Sequence, residues 1–342
     1  MLNLLAVSGV PSVSMEGEGL FNELVERFAA GDFQLNIGEM INWFVNLLFQ
    51  EIHQSADLLL VVIVIGIISA VMNLTSDAFS NKNVSEVSFF ACFALVSAAA
   101  LECFHVALRY GMEVISAMGD FVTKLSPIMM TLILSSGGGA SAAVFHPVLS
   151  AAVFCVELAV EKWIVPLIAY GAVLNVANNL SDAVSVTGFC KLIRSMSKWI
   201  LAAAFTLFTG ICGIYGFSAP ALDALSAKTV KFAVGSLVPV VGNFLSDTLE
   251  TVVTGSRMMK NTVGSAGLIV MSTICIMPIL KITVIMLMMK LAAAAIEPVT
   301  DKRISRLLWD MADAVTSVFG MVVTVAVLFM ICVSIIIAAT GR

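Results

Sequence analysis

Charged residues are scarce in this sequence. Only 12% of its 342 residues are Asp, Glu, Lys or Arg, about half the ~25% typical of soluble domains, which excludes an ordinary water-exposed surface. The 18 basic residues form no run, so there is no electrostatic footprint for nucleic acid. His53, His105 and His146 are too scattered to form a metal site. The seven cysteines (Cys92, Cys103, Cys155, Cys190, Cys212, Cys275 and Cys332) fall singly in or beside apolar segments. Neither CxxC nor Cys/His ligand spacing occurs, which argues against a disulfide framework or a zinc site and leaves the thiols as small buried hydrophobes. HExxH, GxSxG and P-loop signatures are missing too. No catalytic set, cofactor site or metal site is expected, and the chain does not read as an enzyme.

What the chain has in quantity is apolar surface: 60% of residues are hydrophobic and the mean hydropathy is +1.03. The fold class that follows is all-α, a polytopic integral membrane helical bundle in the lipid bilayer, with broken or re-entrant helices and a candidate internal repeat. Two regions are expected. Residues 1–57 form an extracytoplasmic amphipathic segment, with 1–12 (MLNLLAVSGVPS) resembling the remnant of a secretory signal. Residues 58–340 form the membrane domain. In the first region Leu20, Leu24, Val25 and Phe28 recur at helical spacing, as do Met40, Ile41, Phe44, Val45 and Leu48. These two amphipathic helices suit a membrane surface or a partner. Their acidic, lysine-free composition places them outside the cytoplasm.

Apolar spans are expected at 58–74, 87–108, 199–217, 263–290 and 318–339, since about 20 apolar residues cross a hydrocarbon core. Glu102 and His105, three apart, share a face near the end of the second span. Residues 127–136 are too short to cross and run into Gly137-Gly138-Gly139, which reads either as a discontinuous helix or as a hairpin. Glu157 and Glu161 follow on one face, with Lys162 beside them. Lys191, Arg194 and Lys198, and later Lys302, Arg303 and Arg306, mark cytoplasmic ends. That topology holds if the stretch around 219–260 dips into the membrane and returns.

The central stretch, 219–267, lies between long spans yet holds Pro220, Pro239, five glycines and a cluster of charges. Lipid cannot satisfy broken backbone, so such a stretch is expected to be buried in protein or to line a wet cavity. Its candidate conduit or gate residues are Pro239, Gly242, Asn243, Ser246, Asp247 and Glu250. Lys281 joins them, because a lysine so deep in a span snorkels or meets an acid, with Asp247 and Glu250 as candidate partners. A pattern N-x-(T/L)-S-D recurs at 73–77, 178–182 and 243–247. It fits helix capping and equally an internal duplication of the transporter kind. Asn178 and Asp182 from its second copy, with Glu157 and Glu102, form a secondary set of candidates.

Three blocks carry a resemblance to a known family: AYGAVLNVANNLSD (169–182), the long block from TGICGIYGFSAPALDALSAK to LSDTLETVVTG (209–255), and KNTVGSAGLIV (260–270). They resemble the stage III sporulation protein AE family of endospore-forming Firmicutes, over roughly residues 55–340. The resemblance implies a multi-pass protein of the mother-cell membrane that surrounds the forespore. It also implies partners: other stage III A-operon membrane proteins, an ATPase resembling secretion motors and, indirectly, a forespore membrane partner, together forming a channel or feeding-tube apparatus for late forespore development. No catalytic residues carry over. The competing reading from the residues is a stand-alone secondary transporter or permease for a small solute, supported by the repeated motif, the glycine break and the intramembrane Glu102, Glu157 and Lys281.

Overall fold

The structure is a computed structural model, and it describes residues 46, 64, 67, 82–135, 139–180, 186–237, 242–298 and 300–338. The expected N-terminal amphipathic helices and the span at 58–74 lie outside the described residues, apart from Asn46, Val64 and Ile67, each helical. The first copy of the repeated motif (73–77) also lies outside them.

Among the described residues there are helices and no strands. In chain order these are α1 (Lys82–Ser135), α2 (Gly139–Ala159), a π-helical turn (Val160–Ile164), α3 (Val165–Leu180), α4 (Thr187–Leu237), α5 (Gly242–Ile296) and α6 (Lys302–Ala338). Four segments are long and apolar enough to cross a membrane: Phe89–Ser135, Thr187–Ile214, Val263–Ile296 and Lys302–Ile335. An α-helix satisfies its own backbone groups, which is why apolar sequence takes this form in lipid.

Helix directions follow from cross-helix contacts. The Arg303 guanidinium lies 4.4 Å from the Phe89 ring, Gly111 faces Val318 and Val322, and Leu125 and Val333 both border Gly267. α1 and α6 therefore run parallel. α5 runs against them: Gly264 meets Ile337, Cys275 Sγ is 3.0 Å from Met118 Sδ, and Trp309 Nε1 donates to Glu297 Oε2 at 3.4 Å. These three helices make the core, with Phe93, Met118, Met271, Ile282, Leu308 and Phe329 essentially without solvent contact. Close approach uses the glycines at 264 and 267: a β-carbon at Gly264 would collide with Ile337, and one at Gly267 would press on the end of Leu125; small residues are the usual means of tight helix packing in membranes.

α2, the π turn and α3 form one continuous 139–180 rod that returns beside α1 and reaches α6 at Asp310. α4 then rises parallel to α6, from Arg194 at Asp313 to Cys212 at Cys332. The basic clusters at 191–198 and 302–306 thus share one end of the bundle with the start of α1, as the charge pattern predicts.

Three local expectations change. Residues 127–135 are the last turns of α1, Pro127 included, and not a separate half-helix. The departure from α geometry on the returning rod is the π turn at 160–164. Most of the central stretch is helical: residues 219–237 continue α4 and 242–267 begin α5. Glycine and proline are tolerated in membrane helices because neighbouring groups re-satisfy the backbone. Along the helix axis, Leu237 is about 37 Å beyond Cys212 and Gly242 about 33 Å beyond Gly264. Cys212 and Gly264 both lie near the last turns of α6, so the stretch extends past the end of the span instead of dipping into it.

Candidate functional site: a charged face at membrane depth

The primary candidates do not converge. Pro239 lies outside the described residues. Gly242, Asn243, Ser246, Asp247 and Glu250 occupy the opening turns of α5, and their side chains are outside what the structure describes. Lys281 is on the same helix, 31 residues after Glu250, which is about 47 Å along the axis. An ion pair between them is therefore ruled out. The ammonium of Lys281 instead sits 5.2 Å from the centre of the Tyr110 ring, in the seam between α5 and α1. The negative face of an aromatic ring is a favourable neighbour for a cation away from water.

Of the secondary set, Asp182 is outside the described residues. Asn178 acts structurally, since its Oδ1 accepts from the Val186 backbone N–H at 2.9 Å and from the Thr187 hydroxyl at 3.2 Å. This closes the connection from α3 to α4. The second copy of the repeated motif therefore starts at a helix end, whereas the third starts α5. The two copies occupy unlike places, and Asn178 of the second ties the end of α3 to the start of α4.

Glu102 and Glu157 lead to something larger. Glu102, Arg109, Glu113, Asp120 and Lys124 are spaced 7, 4, 7 and 4 apart on α1. At 100° per residue they fall within an arc of about 60°. All five are exposed, as are His105, Ser116 and Thr123 on the same side. The opposite side, through Val114, Met118, Val122 and Leu125, is buried in the core. Within the ribbon Arg109 Nε is 3.8 Å from Glu113 Oε1, and the guanidinium carbon of Arg109 is 5.7 Å from the Tyr110 ring centre.

Depth makes the ribbon unusual. Gly111 is level with Val318 and Val322, and Leu125 is level with Val333. Glu113, Asp120 and Lys124 are thus level with the uncharged part of α6, which has no Asp, Glu, Lys or Arg after Asp313 among the described residues. Charge placed at mid-span costs roughly 2.5–3.5 kcal/mol per residue on insertion scales, so lipid is a poor neighbour for this face.

α2 extends the polar face sideways. The half-buried Glu157 carboxylate lies directly over Gly119, where a β-carbon would make it swing aside. Asp120 and Glu161 are its charged neighbours. The π turn then turns Glu161, Lys162 and Trp163 outward while Val160 and Ile164 stay buried; Lys162 Nζ pairs with Glu161 Oε1 at 2.9 Å. π turns recur at functional sites because they re-aim side chains without ending the helix.

A second polar group ties α3 and α4 to α6. Asn179 Nδ2 donates to Asp310 Oδ2 at 2.8 Å and to the Asn175 carbonyl at 2.9 Å; Asn175 Nδ2 donates to the Asp310 carbonyl at 3.3 Å. Arg194 pairs with Asp313 at 2.8 Å. A cleft of about 20 Å³ beside them, bordered by Gly171, Cys190, Ser197 and Ser317, is room for one water molecule. Among the described residues no three His, Cys, Asp or Glu side chains are grouped to hold a metal ion.

Sequence reasoning missed Arg109, Glu113, Asp120 and Lys124, along with the partners Asp310 and Asp313. The signal is present in the 7–4–7–4 spacing, but ending the second span at 108 removes the continuous helix on which that spacing has meaning.

The comparisons with known proteins point to one family. The family model described as stage III sporulation protein AE matches residues 20–340. The chain is similar to the stage III sporulation protein AE of Bacillus subtilis (strain 168), at 30% identity over 313 residues, covering 92% of this chain and 78% of that protein. No solved structure matches. A helical membrane bundle whose match to the family begins at residue 20 and ends at residue 340 identifies the chain as a member of the stage III sporulation protein AE family.

Proposed function

We propose that this sporulation membrane protein is one subunit of a multi-protein conduit between mother cell and forespore. It would sit in the mother-cell membrane around the forespore and work with the other stage III A-operon membrane proteins and their ATPase. The observation that carries this reading is the exposed charged face of α1 and α2, level with the uncharged part of α6. A stand-alone transporter keeps its ionisable groups between its own helices. Here they lie on the outside of the described bundle, so the surface is completed by neighbours. The role proposed for it is structural and conductive.

The test has two arms. The full-length protein, purified in mild detergent from sporulating cells, is expected to bring the other stage III A-operon proteins with it. Reconstituted alone in vesicles, it is expected to be inert toward small solutes. Concentrative solute uptake by the isolated chain, with no partner recovered, would replace this reading with the transporter.

A further inference from the structure

Resting on that conduit reading, we infer that the charged ribbon of α1 is the wall of a water-filled path, enclosed when several copies of this chain assemble around it. Four observations lead there. From Glu102 to Lys124 the ribbon runs 22 residues, about 33 Å of helix, which matches a hydrocarbon core of about 30 Å. Between its charges the exposed side chains include Ser116 and Thr123, which suit water better than lipid. Both signs of charge are interspersed along it, and α2 adds Glu157, with Glu161 and Lys162 of the π turn beyond.

The fourth observation separates water from a dry protein contact. Copies of one chain in one membrane share an orientation, so across a two-fold axis running along parallel helices each level of the ribbon meets the same level of its copy. Glu113 would face Glu113, Asp120 would face Asp120, and Lys124 would face Lys124. Like charges in dry contact repel, so a dry contact of this face with its own image is disfavoured, and water between copies keeps each charge solvated. The apolar 58–74 segment offers no opposite charge to cover it. Acidic groups outnumber basic ones on the wall, so the path suits small hydrophilic solutes of either sign, with a mild preference for cations.

The experiment is cysteine accessibility in the full chain with its partners present, in inverted membrane vesicles from sporulating cells. The background lacks the seven native cysteines and is first shown to sporulate. Ser116→Cys and Thr123→Cys keep every charge of the ribbon; Leu207→Cys and Val327→Cys report exposed apolar positions on α4 and α6. A membrane-impermeant, charged thiol reagent is expected to modify the first pair at least tenfold faster than the second. Equal protection of all four would overturn the water-filled path and make the ribbon a dry contact with a charge-complementary partner. If that occurs while partners still co-purify, the conduit reading survives and only this inference fails. Should the cysteine-free background not sporulate, Ser116→Cys and Thr123→Cys are labelled in the native background and read by mass spectrometry, with the same two outcomes.

Discussion

At the scale of single residues, Gly119 and Glu157 define the tightest constraint on the charged face. Glycine at 119 leaves the space over which the Glu157 carboxylate lies. Adding one methyl group there makes the Glu157 carboxylate swing aside, and because the end of a flexible side chain yields, the cost falls at the low end of overpacking, about 1 kcal/mol. Gly119→Ala is therefore expected to lower the detergent melting temperature and the amount of protein in membranes. Shortening the acid should undo the damage, so Gly119→Ala with Glu157→Ala is expected to recover most of the loss. A double-mutant cycle of melting temperatures checks this, and strictly additive losses would mean the two residues do not touch. The residue scale is also where the sequence is least evenly legible. Glu157 and Glu102 stand out from their place in apolar runs, but charge alone points Lys281 toward Asp247 and Glu250 on its own helix, whereas the Tyr110 ring of α1 lies beside it. Ion pairs can be guessed from charge; a cation on a ring depends on which helix lies alongside, and spacing in one chain does not carry that.

Among elements, the π turn offers the clearest contrast. A π turn behaves as one residue inserted into an α-helix, with the flanking faces kept in register. Deleting Lys162 is expected to convert 160–164 to ordinary helix and to leave Asn175 and Asn179 facing Asp310. The membrane-inserted level should stay near normal, while the outward Glu161–Lys162 pair is lost. Deleting Val173 from α3 makes a different change: every later residue rotates by about 100°, and both asparagines leave Asp310. That protein is expected to be degraded or to melt markedly lower. Comparable behaviour of the two deletions would show that the turn does not act as an insertion. The elements also show why helix boundaries are the weaker part of the sequence reading. Pro127 and the glycines of 219–267 read as breakers, which suits water, where broken backbone is solvated. In a bundle the helix runs through them, because few alternatives satisfy the backbone.

For the whole molecule, composition is enough to reach a helical membrane bundle, and the basic clusters are enough to order its ends. What spacing does not reveal is where the central stretch goes, because a dip and a projecting pair of helices return the chain to the same side. Cross-helix contacts separate them. With Gly264 at Ile337 and Cys212 near Cys332, the described residues between those two positions on α4 and α5 continue past the last turns of α6. Thr254, exposed on α5 and ten residues before Gly264, is then on the end opposite to Lys191 and Lys302. Single cysteines at these three sites are expected to label from opposite faces of sealed vesicles: Lys191→Cys and Lys302→Cys from the cytoplasmic face, Thr254→Cys from the other. Labelling of all three from one face would mean that α4 and α5 do not cross, and the depth assigned to the charged ribbon would fall with them. The opposite-face pattern would put the end of α4 and the start of α5 beyond the membrane. The gate candidates from Gly242 to Glu250 would then belong to a projecting element, with the path itself lying along α1.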